Sequence, residues 1–305
     1  MKQEGENQDI LGGLMDTPLA REISQNNSRL NRVREERLPK PEKTRIFTIS
    51  NQKGGVGKTT TAVNMAAALA SKGLRVLVID LDPQGNASTA LNIDHREGTP
   101  SIYEVLLDGT PIEDVVQIST EGPGLTCVPA TIDLAQAELE LVSVVARETR
   151  LKNALDHYIN TSVTPPDYVF IDCPPSLGLL TVNAFAAATE VLIPIQCEYY
   201  ALEGLAQLRK NIGRIKQYLN PTLEISTILL TMYDSRTRLA ADVAADVRTH
   251  FGEITLNTVI PRSVKLSEAP SYQKTIISYD GSSSGAISYL EAASEIANRG
   301  AQNGR

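Results

Sequence analysis

The residues best suited to chemistry are Asn51-Gln52-Lys53-Gly54-Gly55-Val56-Gly57-Lys58-Thr59-Thr60. They follow an apolar run, Ile46 to Ser50, and lead into a helix-like run, Ala62 to Ala70. A glycine-rich turn between a strand and a helix lets the backbone close around a polyphosphate, with successive amide N–H groups facing its oxygens. Gly54, Gly55, Val56 and Gly57 would form that cradle. The Lys58 ammonium would neutralise the β/γ charge, and the Thr59 hydroxyl, with Thr60 beside it, would hold Mg2+. One position departs from the common G-x-x-x-x-G-K-[ST] pattern: Gln52 replaces the first glycine, and a second lysine, Lys53, follows it. A cation there cannot easily fold back onto its own γ-phosphate, but it can reach a nucleotide held by another subunit. Lys53 therefore predicts catalysis linked to dimerisation.

Two acidic motifs complete the chemistry. Val76-Leu77-Val78-Ile79-Asp80-Leu81-Asp82-Pro83-Gln84-Gly85-Asn86 places two carboxylates just past an apolar run. Asp82 is suited to orienting the attacking water and Asp80 to tuning the Mg2+ shell, with Pro83 and Gly85 shaping a loop that senses the γ-phosphate. In Val169-Phe170-Ile171-Asp172-Cys173-Pro174-Pro175-Ser176, Asp172 stands where a strand-end carboxylate holds Mg2+, directly or through water. Each motif alone fits a capping turn, since Asp often begins helices. Three such strand ends in the expected order point to one site. Cys173, with no neighbouring cysteine and an apolar run before it, reads as a packed thiol.

The elements that must position these groups alternate. Strand-like runs lie at Ile46–Ser50, Leu74–Ile79, Leu125–Val128, Tyr168–Ile171, Val191–Ile195, Ile225–Leu230 and Thr255–Ile260. Most are continuous and rich in Val, Ile and Leu, as expected of parallel strands covered on both faces. Between them, Leu202, Leu205, Leu208, Ile212, Ile215 and Leu219 repeat at helical spacing. So do Leu134, Leu141 and Val145, and then Leu151, Leu155 and Tyr158. The pattern predicts an α/β fold with a single, doubly wound, mostly parallel sheet flanked by helices, and ligands at the carboxyl ends of its strands.

Three units are expected: a disordered N-terminal tail over 1–45, a nucleotide-binding body over 46–298, and a flexible C-terminus over 299–305. The tail is polar, and Arg29 to Arg45 carries seven basic and three acidic residues. A solubilising extension is the simpler reading of it; an arm touching DNA or a partner is the alternative. Across all 305 residues the net charge is −7, which argues against a uniformly DNA-coating protein but not against a local basic patch. Glu203 to Thr275 carries ten Lys/Arg against seven Asp/Glu. Cys127, Cys173 and Cys197 are widely spaced, as are His95, His157 and His250, so no disulfide framework or protein-built metal site is expected. No run has the length of a transmembrane helix, and the start does not read as a secretory signal, so a cytoplasmic protein is expected.

Further stretches carry a resemblance. Lys-Gly-Gly-Val-Gly-Lys-Thr-Thr (53–60), Asp-Leu-Asp-Pro-Gln-Gly-Asn (80–86), Pro-Ala-Thr-Ile-Asp-Leu-Ala (129–135), Asp-Cys-Pro-Pro-Ser-Leu-Gly (172–178), Gln-Cys-Glu-Tyr-Tyr-Ala-Leu-Glu-Gly (196–204) and Pro-Arg-Ser-Val-Lys-Leu-Ser-Glu-Ala-Pro (261–270) resemble the ParA/Soj chromosome-partitioning ATPases. The phosphate loop alone indicates the wider deviant-Walker P-loop group, which includes MinD and nitrogenase iron proteins. The resemblance spans about 45–298. It implies a homodimer sandwiching ATP and Mg2+, with Lys53 reaching the partner's nucleotide and Gly54 at the seam. Lys58 is implied to bind ATP, Thr59 and Asp172 to serve Mg2+, and Asp82 to be needed for hydrolysis but not for dimerisation. It further implies non-specific double-stranded DNA binding through Arg236 and Lys265, with Arg262 assisting, and slow hydrolysis stimulated by a ParB-like centromere-binding protein. A nucleoid location goes with that. Met232, Pro261 and Arg262 follow strands that should flank the purine. Two alternatives stay open: positioning of another cargo on the nucleoid, and a MinD-like membrane-associated division regulator. The latter needs a basic amphipathic C-terminal helix, and Leu290 to Arg299 has little bulky apolar surface. No stable membrane association is expected.

Overall fold

Short runs of Val, Ile, Leu and Phe become strands buried on both faces, and these strands join into one sheet. The computed structural model describes residues 17–198 and 201–303. Helix α1 (Pro18–Glu35) precedes strand β1 (Arg45–Ile49), α2 (Lys58–Ala70), β2 (Val76–Asp80) and α3 (Asn86–Ala90). Then come α4 (Ile102–Leu107), α5 (Ile112–Val115), β3 (Gln117–Ile118), β4 (Leu125–Val128), α6 (Leu134–Glu140), α7 (Arg150–Thr161), β5 (Tyr168–Asp172) and α8 (Leu179–Ala187). The chain continues with β6 (Glu190–Gln196), α9 (Ala201–Tyr218), β7 (Glu224–Tyr233), α10 (Arg238–Phe251) and β8 (Thr255–Pro261). It closes with α11 (Val264–Glu268), α12 (Ile276–Tyr279) and α13 (Ser284–Asn303).

The sheet order is β3-β4-β2-β5-β1-β6-β7-β8, and every pairing is parallel except β3 with β4. All seven expected strands form, with ends shifted by up to three residues; the short antiparallel β3 was not foreseen. Helices α2, α3 and α13 pack on one face and α4 to α10 on the other, each with its own buried apolar cluster. Because β1 lies between β5 and β6, the carboxyl ends of β1, β2 and β5 sit side by side. That is where an open α/β sheet holds ligands.

Three expectations need correction. The supposed disordered tail is, from residue 18 onward, a docked helix; residues 1–16 lie outside the described residues. Leu30 and Val33 on α1 are 5% and 2% exposed, and the rest of its attachment is polar. Arg29 and Arg32 meet Glu291, and Glu36 accepts from Ser294 and Asn298. The Lys72 ammonium, just beyond α2, donates to the carbonyls of Val33, Arg34 and Glu36 at the end of α1. A cation at the negative end of a helix is favourably placed. At the other terminus, α13 runs on to Asn303, with Arg299 donating to the carbonyls of Glu253 and Thr255, so the expected flexible segment is helical up to that residue. Finally, the helical spacing of Leu134, Leu141 and Val145 overreaches: α6 ends at Glu140, and Val145 is 86% exposed.

Candidate nucleotide-binding site

The loop from Asn51 to Gly57 leaves β1 and enters α2 through two left-handed residues, Gly55 (φ +73°) and Gly57 (φ +90°). Side chains other than glycine rarely adopt that conformation, so the turn depends on them. The loop is fixed from both sides. Asn51 donates to the Pro194 carbonyl (2.9 Å) and accepts from the Lys53 amide (3.0 Å), while the buried Thr231 hydroxyl donates to the Val56 carbonyl (2.9 Å). Gly57 is the N-cap of α2, so Lys58, Thr59 and Thr60 form its first turn, where free amides face an anion. Lys58 is buried, with its Nζ 3.4 Å from the Lys53 carbonyl. Burial lowers its pKa, and the Asp172 carboxylate pulls the other way.

Asp80 and Asp172 end adjacent strands in direct register and are both fully buried. Their surroundings differ. Asp80 accepts from the Ser88 amide (2.8 Å), the Ser88 hydroxyl (2.7 Å) and the Asp82 amide (3.2 Å). Burial raises its pKa to about 6 even so. Its oxygens are engaged with the loop, so Asp80 anchors the turn carrying Asp82. Asp172 has neither oxygen hydrogen-bonded. Burial and then the neighbouring Asp80 push its pKa well above the usual range, with the Thr59 hydroxyl and Lys58 offsetting part of that. A buried carboxylate without partners is costly unless something positive meets it. Beside Thr59, at the N-terminus of α2, the donor set is hard oxygen, which suits Mg2+.

Asp82 is half-buried and accepts from the Gln84 amide (3.0 Å). Gly85, at φ +62°, brings the loop so close to His95 that a Cβ would stand 2.9 Å from the ring. Cys173 is buried against the Thr48 hydroxyl (3.1 Å), and burial lifts its pKa to about 12, as befits a packed thiol.

Lys53 lies outside the cradle. Its Nζ is 2.6 Å from Glu198, whose other oxygen accepts from Gln196 (2.5 Å), and both partners of the ion pair are about half exposed. Gly54 has no positive φ and nothing within 4 Å of where a Cβ would stand.

Met232, Pro261 and Arg262 line one cavity of about 180 Å3 together with Gly57, Thr60, Thr231, Leu266 and Tyr289. Met232 is held at φ +51°, a strained value for a side chain of its size. Tyr289, on α13, is within 3.3 Å of the Thr61 hydroxyl, 228 residues away in sequence. Arg236 and Lys265 stand on the surface, and each is paired with an acid: Arg236 with Asp234 through two hydrogen bonds (2.9 and 2.8 Å), Lys265 with Asp280. Four contributors escaped the sequence reading: Ser88, Glu198, Thr231 and Tyr289. Only Glu198 lay inside a stretch already singled out, and none sits at a spacing that marks it.

A parallel sheet with this loop and these strand-end carboxylates defines a P-loop nucleoside-triphosphate-binding protein. A family model described as an AAA domain matches residues 44–225. The sporulation initiation inhibitor protein Soj of Bacillus subtilis is 50% identical over 84% of this chain and 99% of its own. The chromosome partitioning protein ParA of Myxococcus xanthus is 53% identical over 84% of this chain and 88% of its own. Among solved structures, a protein named cobyrinic acid a,c-diamide synthase from Mycobacterium smegmatis, with bound ATP analog and magnesium, superposes with a TM-score of 0.72 at 40% identity. That match covers 86% of this chain and 97% of the other. The chain belongs to the Soj/ParA family of chromosome-partitioning ATPases.

Proposed function

We propose that this protein is a DNA-partitioning ATPase whose ATP-bound form is a sandwich dimer that holds double-stranded DNA without sequence preference. Hydrolysis, stimulated by a ParB-like partner, releases it. The single observation that carries the dimer is the pairing of Lys53 with Gly54. Nothing inside the protomer calls for glycine at 54, whereas a second loop pressed against it would. Lys53 is held at the surface by Glu198, outside its own cradle, where it can pass to a neighbour.

Mg2+-ATP, when bound, would supply the phosphoryl group to be transferred and metal charge to offset its oxygens. Around it, Gly54 to Gly57 would bind phosphate through their amides, and Lys58 with the partner subunit's Lys53 would neutralise charge that develops in the transition state. Thr59 and the free oxygens of Asp172 would hold the metal. Asp82, fixed by Asp80 and the Gly85 turn, orients the attacking water. The cavity lined by Met232, Pro261 and Arg262 takes the purine.

A membrane-bound division regulator is disfavoured. Leu290, Ala293, Ile296 and Ala297 of α13 are buried against the body, and no helix among the described residues is long and apolar enough to cross a membrane. The amidation implied by the name of the Mycobacterium smegmatis protein is less well supported than partitioning, since the Myxococcus xanthus relative, at 53% identity against 40%, is named for the latter. Positioning of another cargo on the nucleoid would use the same site and differ only in the adaptor.

Hydrolysis measured with DNA, with the adaptor, and with both tests the reading. Stimulation should need both, and Lys53→Ala should retain nucleotide binding while losing stimulated turnover. Unchanged stimulated turnover in that variant removes the cross-subunit role.

A further inference from the structure

Beyond the cations already assigned, one exposed patch combines aromatic rings with unpaired positive charge. The 3-10 turn Ala269–Tyr272 is joined to α12 through Gln273, a non-glycine residue at φ +54°, with the Lys274 amide donating back to the Ala269 carbonyl (3.2 Å). This reversal sets Tyr272 against Tyr279, their ring centroids 5.1 Å apart and 27° from parallel. Tyr272 is 63% exposed and stacks on Tyr279, which is half-buried against the core, so Tyr272 is the ring presented outward on a fixed support. Lys274 is exposed, as are Arg262 and Lys265. Among the described residues no ion pair engages Lys274 or Arg262, while Lys265 is paired with Asp280. Two further acids border the patch: Glu268, close to Tyr279, and Glu121, which accepts from the Thr275 and Ser278 hydroxyls.

We propose that Tyr272, Tyr279 and Lys274 form a further contact surface for the duplex DNA backbone, continuous with Lys265 and Arg262. The inference rests on the DNA-binding reading above and extends it to residues that reading does not name. Tyrosine hydroxyls and lysine ammoniums are standard donors to phosphate, and a rigid aromatic pair loses little freedom on contact. The exposed cations Arg262 and Lys274, neither in an ion pair among the described residues, favour the closely spaced phosphates of DNA over a second copy of this chain. The tyrosines add the part of binding that salt does not screen.

The two kinds of contact separate in a salt titration. The test uses full-length protein with a non-hydrolysable ATP analogue and a fluorescent random-sequence duplex, read by polarisation. Tyr272→Ala should weaken binding roughly three- to tenfold, about the worth of one ordinary hydrogen bond, and leave the salt slope unchanged. Lys274→Gln should weaken binding and flatten the slope by about one for each phosphate that the side chain no longer neutralises. Tyr272→Phe, which keeps the stack but lacks the hydroxyl, should fall between. Light scattering should show the same oligomer for all. Variants that bind as well as the unsubstituted protein overturn the patch and leave the DNA reading intact. Variants that no longer dimerise assign the patch to self-association and overturn it. If the unsubstituted protein binds no duplex, the DNA reading falls and the patch with it.

Discussion

Asp172 shows how one residue trades stability for chemistry. Its two oxygens are buried without partners, and beside it Asp80 is held near a pKa of about 6. In both, burial raises the folded pKa above that of an unfolded aspartate, so each keeps a proton in the fold at a pH where the open chain has lost it. The resulting stability is complete below about 3.8 and is lost as pH rises through about 6 for Asp80, and through the raised pKa of Asp172 as well. Nucleotide-free protein should therefore melt at a lower temperature at pH 7.5 than at pH 5. Asp172→Asn should remove much of that slope and stabilise the neutral-pH form by roughly 1–3 kcal/mol, the usual cost of an unmet buried polar group. It should abolish hydrolysis as well. Thermal scans at the two pH values decide, and an equal fall in both proteins contradicts the assignment. The surface cations give a second prediction. Arg236 is held by Asp234 through two hydrogen bonds. Asp234→Asn should free it and tighten DNA binding roughly twofold to fivefold, the modest effect expected of an exposed pair. Unchanged polarisation titrations would mean that Arg236 does not meet DNA. The positions of Asp82 and Asp172 near strand ends were legible because each follows a buried run. The difference in surroundings between Asp80 and Asp172 was not, since it depends on Ser88, which only the fold of α3 brings back over β2.

Elements were read from periodicity, and the reading succeeded where burial is continuous. β2 and β5 are buried at all five positions, and their sequences, Val-Leu-Val-Ile-Asp and Tyr-Val-Phe-Ile-Asp, admit no other element of that length. It failed where attachment is mostly polar. Among the described side chains α1 buries Leu30 and Val33, and its other anchors are Glu291, Ser294 and the Lys72 ammonium, so much of its attachment leaves no apolar signal in the sequence. That makes the docking testable. Leu30→Ala with Val33→Ala should cost roughly 2–4 kcal/mol, somewhat below the range for two fully enclosed core truncations because the helix lies at the surface. Chemical denaturation measures it. An unchanged midpoint would show that α1 does not stay on α13 in solution. Lys72 stands just beyond the C-terminus of α2, whose N-terminus follows the glycine-rich loop, and α13 carries Tyr289 into the cavity lined by Met232 and Pro261. Helix α1 thus braces both elements that border that loop and cavity.

At the scale of the molecule, a single sheet gathers the phosphate loop from β1, the two carboxylates from β2 and β5, and the purine cavity from β7 and β8. One protomer holds most of a nucleotide site, with Lys53 turned outward and Gly54 facing open space. In the proposed dimer a second protomer would complete it. Doubling the copies would double the phosphate contacts available to DNA, so a chain with a net charge of −7 would bind a polyanion steeply as a dimer and release it as single protomers. The most direct test is the mass of the Asp82→Ala protein in solution, with and without Mg2+-ATP, by light scattering. Two protomers with nucleotide and one without, and a single protomer throughout when Lys53→Ala is added, is the predicted result. A single protomer with saturating nucleotide bound, in the Asp82→Ala protein itself, contradicts the account.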